Sequence, residues 1–219
     1  MSLHRSEHLE DPGADLIDRA QSLWGRFGRY VLIAAGVAAV AGALAFFTLQ
    51  TRARTEAQAG DKLADANALF WQGDYKRSQD VAKTVAQQFP GTPSGLDAHR
   101  LSGDDAFWSN DFKTAITEYK AYLAKSSTGL LADGVRRSLA YSLESDKQYA
   151  DAAAAYVQLV GKFDRESSAE FLAAASRCQV AAGHRDEAAK LLQRLLDEFG
   201  ETSFANPARV DLAELTATR

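Results

Sequence analysis

Four stretches of this chain align with one another without gaps, and their spacing constrains the fold more than any other feature. They read GDYKRSQDVAKTV from Gly73, NDFKTAITEYKAY from Asn110, KQYADAAAAYVQL from Lys147 and GHRDEAAKLLQRL from Gly183. Their third residues, Tyr75, Phe112, Tyr149 and Arg185, are separated by 37, 37 and 36 residues. A near-constant step of this length marks a supersecondary unit that cannot bury its apolar face alone and stacks on copies of itself. Each stretch follows another apolar-periodic segment, so the unit is a pair of helices. The first two units share an aromatic pair at the same place, Phe70-Trp71 and Phe107-Trp108. Only four prolines interrupt the chain, and one cysteine, Cys178, can form neither an internal disulfide nor a cysteine-based metal cluster. With 219 residues, 46% of them hydrophobic, the chain can bury a sizeable core, which excludes disorder as its main theme.

Position by position, the unit resembles the tetratricopeptide repeat, two antiparallel helices over about 34 residues. Gly73 and Tyr75 match the family's turn glycine and the aromatic two residues on. The alanine three residues later is met by Ala115, Ala152 and Ala188 and replaced by Ser78 in the first unit. Gly103 falls at the close helix–helix contact, where Ala66, Ala140 and Ser176 stand in the other units, and Pro90 ends the first unit. The departures are the absent terminal prolines of the later units, Arg185 in place of the aromatic, and two or three extra residues per unit, which lengthen the loops. The resemblance covers about residues 58 to 200 and implies an all-α solenoid of helical hairpins with a concave face. Small residues at the crossings permit close approach, while Tyr119, Tyr156, Leu159 and Leu192 fill the space between helices. Asn206-Pro207 is expected to start a capping helix, Pro207 to Ala217, whose Val210, Leu212 and Leu215 cover the open end of the stack.

Ahead of the repeats, Tyr30 to Leu49 are twenty residues without a charge. As a helix they span about 30 Å, the thickness of a bilayer core. Arg26 and Arg29 on one side, Arg52 and Arg54 on the other, and Trp24 and Tyr30 near one interface complete a single transmembrane helix. A cleavable secretory signal, cut at Ala43-Leu44-Ala45 or Ala57-Gln58-Ala59, is the competing reading; typical apolar signal regions run only about 7 to 15 residues. Orientation is undecided by charge, since Arg19, Arg26 and Arg29 precede the span and Arg52, Arg54 and Lys62 follow it. A short head before a signal-like anchor favours a cytoplasmic N-terminus and a translocated C-terminal domain. At 100° per residue, Tyr30, Ile33, Val37, Val40, Leu44 and Phe47 form a bulky stripe and Ala34, Ala38, Ala41, Gly42 and Ala45 a small one. Small residues admit a partner helix within the membrane; the competing reading is the alanine-rich composition of the whole chain. Asp11-Pro12 begins an amphipathic helix with Leu16, Ile17, Ala20, Leu23, Trp24 and Phe27 on one face, lying in the interface or docked on another subunit. Between Leu49 and Trp71 only Gly60 weakens a helix, so the span either continues into the first repeat helix, fixing the attitude of the repeats, or kinks there. The expected organisation is a cytoplasmic head over 1–29, a membrane helix over 30–49 and the repeat domain with its cap over 50–219.

Twenty-five Lys+Arg against 29 Asp+Glu give a net charge of -4, which supplies no basic surface for nucleic acid. His99 and His184 lack a metal-binding spacing, and His4 and His8 lie in a polar terminus. Gly91-Thr92-Pro93-Ser94-Gly95 is an inter-repeat turn rather than a nucleophile elbow. Cys178 takes the place of a small packed residue and reads as a buried, inert thiol, and Asp104-Asp105 and Asp186-Glu187 read as solvated acidic pairs. No catalytic constellation, metal or cofactor is expected. In the resembled repeat the ligand-facing positions lie on the first helix of each unit. Carried over, they are Asn67, Phe70, Arg100, Asp104, Phe107, Arg137, Tyr141, Glu144 and Arg177, a set rich in the arginine and aromatic types that carry interface energy. The alternative for the aromatics is core or membrane contact. The whole layout resembles the bacterial ancillary subunits of the Sec translocon with a periplasmic tetratricopeptide-like domain, and VAQQFPGTPSGLDA resembles repeat proteins of the Tol-Pal and outer-membrane assembly systems. Those resemblances imply an inner-membrane, single-pass adaptor between a membrane complex and periplasmic proteins. The alternative is a structural accessory subunit that stabilises one large membrane complex.

Overall fold

The computed structural model describes residues 12–217. Nine α helices and no strand are found among these residues: α1 (Pro12–Trp71), α2 (Tyr75–Gln88), α3 (Pro93–Trp108), α4 (Phe112–Lys125), α5 (Leu130–Ser145), α6 (Tyr149–Leu159), α7 (Arg165–Ala181), α8 (Arg185–Phe199) and α9 (Ala205–Ala217). The chain divides into two compact units, one ending at Arg54 and the other beginning at Thr55. The boundary falls within α1, which is assigned as one unbroken helix through Gly60.

The first unit holds the apolar part of α1. Among the described residues this is the one helix long and apolar enough to cross a membrane, and its apolar window is not buried among them. Both faces are uncovered: Val37, Val40 and Phe47 of the bulky stripe are as exposed as Ala34, Ala38, Ala41, Gly42 and Ala45 opposite them. Its polar side chains are satisfied locally. Thr48 and Thr51 donate their hydroxyls to the carbonyls of Ala45 and Phe47, both at 2.8 Å, which removes the cost of carrying them in an apolar medium. Arg29 donates to the Tyr30 hydroxyl at 2.6 Å and lies over its ring.

In the second unit the repeats close into four hairpins plus a cap. The aligned third residues, Tyr75, Phe112, Tyr149 and Arg185, are the first residues of α2, α4, α6 and α8. The residues that open each stretch share one backbone conformation, with φ of 80° at Gly73, 59° at Asn110, 63° at Lys147 and 83° at Gly183. That left-handed step turns the chain back, and the next N–H closes the preceding helix: Asp74, Asp111, Gln148 and His184 donate to Leu69, Ala106, Leu143 and Gln179 at 2.8–3.0 Å. Asp74 and Asp111 also cap the following helix through their carboxylates, accepting from the Arg77 and Thr114 N–H groups; Gln148 and His184 provide no such cap.

The crossings behave as the repeat pattern requires. The small residues of the aligned positions, Ala66, Gly103, Ala140 and Ser176 on the first helices and Ser78, Ala115, Ala152 and Ala188 on the second, are all buried. A Cβ on Gly103 would come within 2.5 Å of the Tyr119 ring. In the two serine-bearing units the hydroxyl crosses the contact: Ser78 donates to the Ala66 carbonyl at 2.9 Å and Ser176 to that of Ala188 at 3.1 Å. Tyr119, Tyr156, Leu159 and Leu192 are buried between the helices as expected. The cap departs from expectation in two ways. It starts at Ala205, so Pro207 is its third residue, which is tolerated because first-turn N–H groups have no intrahelical partner to lose. Val210 is 58% exposed, so of the three expected residues only Leu215 and half-buried Leu212 pack into the end of the stack, together with Ala208.

The acidic pair Asp104-Asp105 is not a solvated face. Asp105 is fully buried on α3, with its Oδ2 2.8 Å from the Ser78 hydroxyl and its Oδ1 without a partner. The Ser78 hydroxyl has one proton and two neighbouring acceptors, Ala66 O and Asp105 Oδ2. If that proton goes to the carbonyl, the carboxyl must supply its own. Burial pushes the Asp105 carboxyl up to about 7, against the Ser78 hydrogen bond and with help from neighbouring Asp104.

Candidate functional site

The first helices of the units carry the residues that the repeat resemblance assigns to partner binding, and the structure sorts them into three groups. In the first, charge is spent internally. Arg100 donates from Nε to Asp97 at 2.6 Å and from Nη1 to Asp104 at 2.7 Å, and the Asp97 hydrogen bond holds its guanidinium further above its ordinary value. Glu144 accepts from the Tyr156 hydroxyl at 2.6 Å and from Arg177 Nε at 2.9 Å. Asn67 turns its amide back onto the Leu63 carbonyl at 2.9 Å. These groups hold helices to one another as much as they present charge.

In the second group the aromatic side chains pack on a core yet remain half-exposed. Phe70 packs against the buried cluster that contains Leu63, Ala66 and Ala82, and Phe107 against the one that contains Ala106, Ala115 and Tyr119. Arg137 on α5 is exposed, its guanidinium 5.4 Å from the centre of the Phe163 ring.

The third group forms a cleft of about 150 Å³ between α3, α4 and α5, lined by Asp104, Phe107, Trp108, Tyr119, Ser138 and Tyr141. Asp104 accepts there from two donors, Tyr119 OH at 2.7 Å on Oδ1 and Arg100 on Oδ2. Burial raises its carboxyl above the ordinary value, working against both hydrogen bonds. Tyr141 lies 5.8 Å from Tyr156, ring to ring, with its hydroxyl 3.5 Å from Glu170. A larger groove of about 660 Å³ runs between α7, α8 and α9, and holds Arg177 and Arg185 on one side and Asp211 and Glu214 on the other.

Four lining residues of the cleft and the groove, Trp108, Ser138, Asp211 and Glu214, were not among the sequence-derived site residues. Trp108 was noted as half of a repeated pair but not as a site residue; it is 59% exposed, and Trp71 82%. Through Tyr75 they belong to one run of ring contacts, Trp71–Phe70–Tyr75–Trp108–Phe107–Phe112, with Tyr75 stacked on Trp108 at 6.2 Å. The recurrence of Phe-Trp at one place in two units was the available signal. Ser138 had none, and Asp211 and Glu214 were passed over because α9 was read only as a cap.

Among the described residues no group of three or more His, Cys, Asp or Glu side chains could hold a metal ion. His99 pairs with Glu118 at 2.7 Å, while His4 and His8 lie outside the described residues. Cys178 is buried, and desolvation first, then Glu144, pushes its thiol up to about 12, which suppresses the nucleophilic thiolate.

The fold and this face define a class, the TPR-like helical-hairpin solenoid, and comparison with known proteins agrees. Residues 172–202, from α7 through α8, match the tetratricopeptide repeat family. A tetratricopeptide repeat protein from Parabacteroides merdae is similar in structure with a TM-score of 0.60 at 12% identity, over 73% of this chain and 60% of that one. TPR-like repeats of a putative kinesin light chain from Podosopora anserina give 0.56 at 15% identity, over 73% of this chain and 85% of theirs. MamA, residues 41 to its end, from Desulfovibrio magneticus RS-1 gives 0.52 at 17% identity, over 64% and 74%. At such identities the likeness is one of fold. No curated protein matches the chain in sequence.

Proposed function

We propose that this chain is a non-catalytic, membrane-anchored scaffold for protein–protein interaction. Residues 30–49 cross the bacterial inner membrane once, residues 1–29 form a cytoplasmic head, and the repeats over 50–219 lie in the periplasm. There they link an inner-membrane complex to protein partners, the role implied by resemblance to the ancillary Sec translocon subunits. The observation that carries the reading is an apolar helix, exposed among the described residues, in the same molecule as a TPR-like stack. The stack supports partner binding because its first helices expose Arg137, Arg177, Trp71 and Trp108, residue types that dominate interface energies.

A second reading rests on the bare alanine face of the membrane helix. Ala34, Ala38, Ala41, Gly42 and Ala45 give a partner helix a close approach, as in a permanent accessory subunit of a larger complex. Extraction from native membranes in mild detergent, followed by a native gel and identification of what migrates with the chain, separates the two. A dispersed set of translocon, chaperone and exported proteins supports the scaffold. One large complex at fixed stoichiometry supports the accessory subunit, and migration alone overturns both.

A further inference from the structure

Between α3, α4 and α5, the 150 Å³ cleft combines features that a general protein-binding face does not require. Four of its six lining residues are aromatic, Phe107, Trp108, Tyr119 and Tyr141, and the other two are a carboxylate, Asp104, and a hydroxyl, Ser138; no lysine or arginine lines it. Aromatic faces attract cations through their quadrupole, most strongly where water is displaced. The charge around the cleft has the matching sign. On α3, Arg100 is shared between Asp97 and Asp104, so that cluster carries one net negative charge. On the Tyr141 side, Glu144 and Glu170 stand on α5 and α7, opposed by Arg137, which lies over Phe163, and Arg177, which is bound to Glu144.

From this geometry, and resting on the reading of the repeats as a protein-binding scaffold, we infer that the cleft receives a single lysine side chain of a partner polypeptide. The aromatic walls cover the methylene stem, and the ammonium sits between the Trp108 and Tyr141 rings and Asp104. Size and hydrogen bonding favour lysine over the other candidates. An arginine fork needs both oxygens of a carboxylate along one edge. Those of Asp104 already accept from Tyr119 and Arg100, leaving single lone pairs suited to a point donor. A purely apolar side chain would fill the walls but leave the half-buried carboxylate with less solvent and no new partner.

Three tryptophans, Trp24, Trp71 and Trp108, make the test direct. The full chain, labelled with ¹⁵N-tryptophan in nanodiscs of zwitterionic lipid, gives one indole N–H signal for each. The probe is the peptide acetyl-Gly-Lys-Gly-amide, compared with the same peptide acetylated on the lysine Nε. We expect the lysine peptide to move the Trp108 signal in a saturable way while Trp24 and Trp71 stay in place. Acetylation, which removes the charge and keeps the stem, weakens binding by about fivefold or more. Tyr141→Leu abolishes the response, with the unchanged Trp71 signal reporting that the fold is intact. Equal responses to both peptides, a Trp24 shift accompanying that of Trp108, or a still Trp108 signal at tens of millimolar peptide would each overturn the assignment. The two proposals fail separately: protein partners that co-migrate while Trp108 ignores lysine remove the pocket alone, and a Trp108 response in a chain that migrates alone removes the scaffold.

Discussion

Asp105 is the residue at which local chemistry has the largest leverage on the fold. In the unfolded chain its carboxyl ionises near pH 4, whereas in the fold it keeps its proton up to about 7. Between those values the folded state binds more protons than the unfolded one, so stability falls as pH rises through the window and levels off above it. Asp105→Asn is neutral throughout and lacks that slope. Since each tenfold change in proton affinity is worth about 1.4 kcal/mol, the variant is expected to exceed the parent by on the order of a few kcal/mol at pH 8, with the gap closing towards pH 4. Melting curves of both chains in detergent across that range check it, and parallel curves would refute the buried neutral carboxyl. Cys178 makes a complementary case. With its thiol pushed up to about 12, it is expected to resist iodoacetamide in the native chain at pH 8 and react on unfolding, which a mass-shift assay reads directly. Sequence separated these two residues imperfectly. Cys178 occupied a repeat position that demands a small packed side chain, so its burial was legible. The burial of Asp105 depends on Ser78, 27 residues away on another helix, a pairing that no local pattern announces.

At the scale of the helical elements, the period of the alignment was legible because it follows a backbone event, the left-handed residue that opens each turn. Gly73 and Gly183 suit that conformation, Asn110 tolerates it, and Lys147, with φ of 63°, is the expensive member. Its hairpin is also one of the two without a side-chain N-cap, since Gln148 provides none. Lys147→Gly is therefore expected to stabilise the repeat domain by about 1 kcal/mol, or roughly 2–4 °C in Tm. Gly73→Ala, which imposes a Cβ on the same conformation, is expected to lower it. Thermal melts of the two variants test the turn, and a loss of stability in Lys147→Gly would mean that contacts of the lysine side chain outweigh the backbone cost. The start of α9 was not legible in the same way. Asn206-Pro207 has the form of a helix start, but a proline fits anywhere in the first turn, and the preceding Ala205 is drawn in by its burial against the end of the stack.

For the whole molecule, the stack was legible from repetition, whereas the side-chain pairing on its first helices was not. Sequence places Arg100, Arg137, Glu144 and Arg177 on the first helices but says nothing of how they neutralise one another across them. This changes what charge reversal should do. Arg137 is exposed over Phe163, so Arg137→Glu is expected to leave the melting temperature within about 2 °C, as surface substitutions do, while reducing the recovery of co-migrating partners. Arg100→Glu faces two carboxylates at hydrogen-bond distance, and leaving them uncompensated costs stability before any partner is met. Comparing melting with partner recovery in the two variants separates recognition from support, and equal melting losses in both would place Arg137 in the scaffold. Orientation is the remaining step, because the arginines and lysine flanking the apolar span are balanced, three against three, and the positive-inside bias cannot decide it. The proposed function places the repeats in the periplasm, and a large domain can translocate largely regardless of its own charge. Protease added to intact spheroplasts is then expected to remove the repeat domain, and the same protease added to inverted inner-membrane vesicles to spare it. The opposite pattern would put the lysine-binding cleft and every partner of this stack in the cytoplasm.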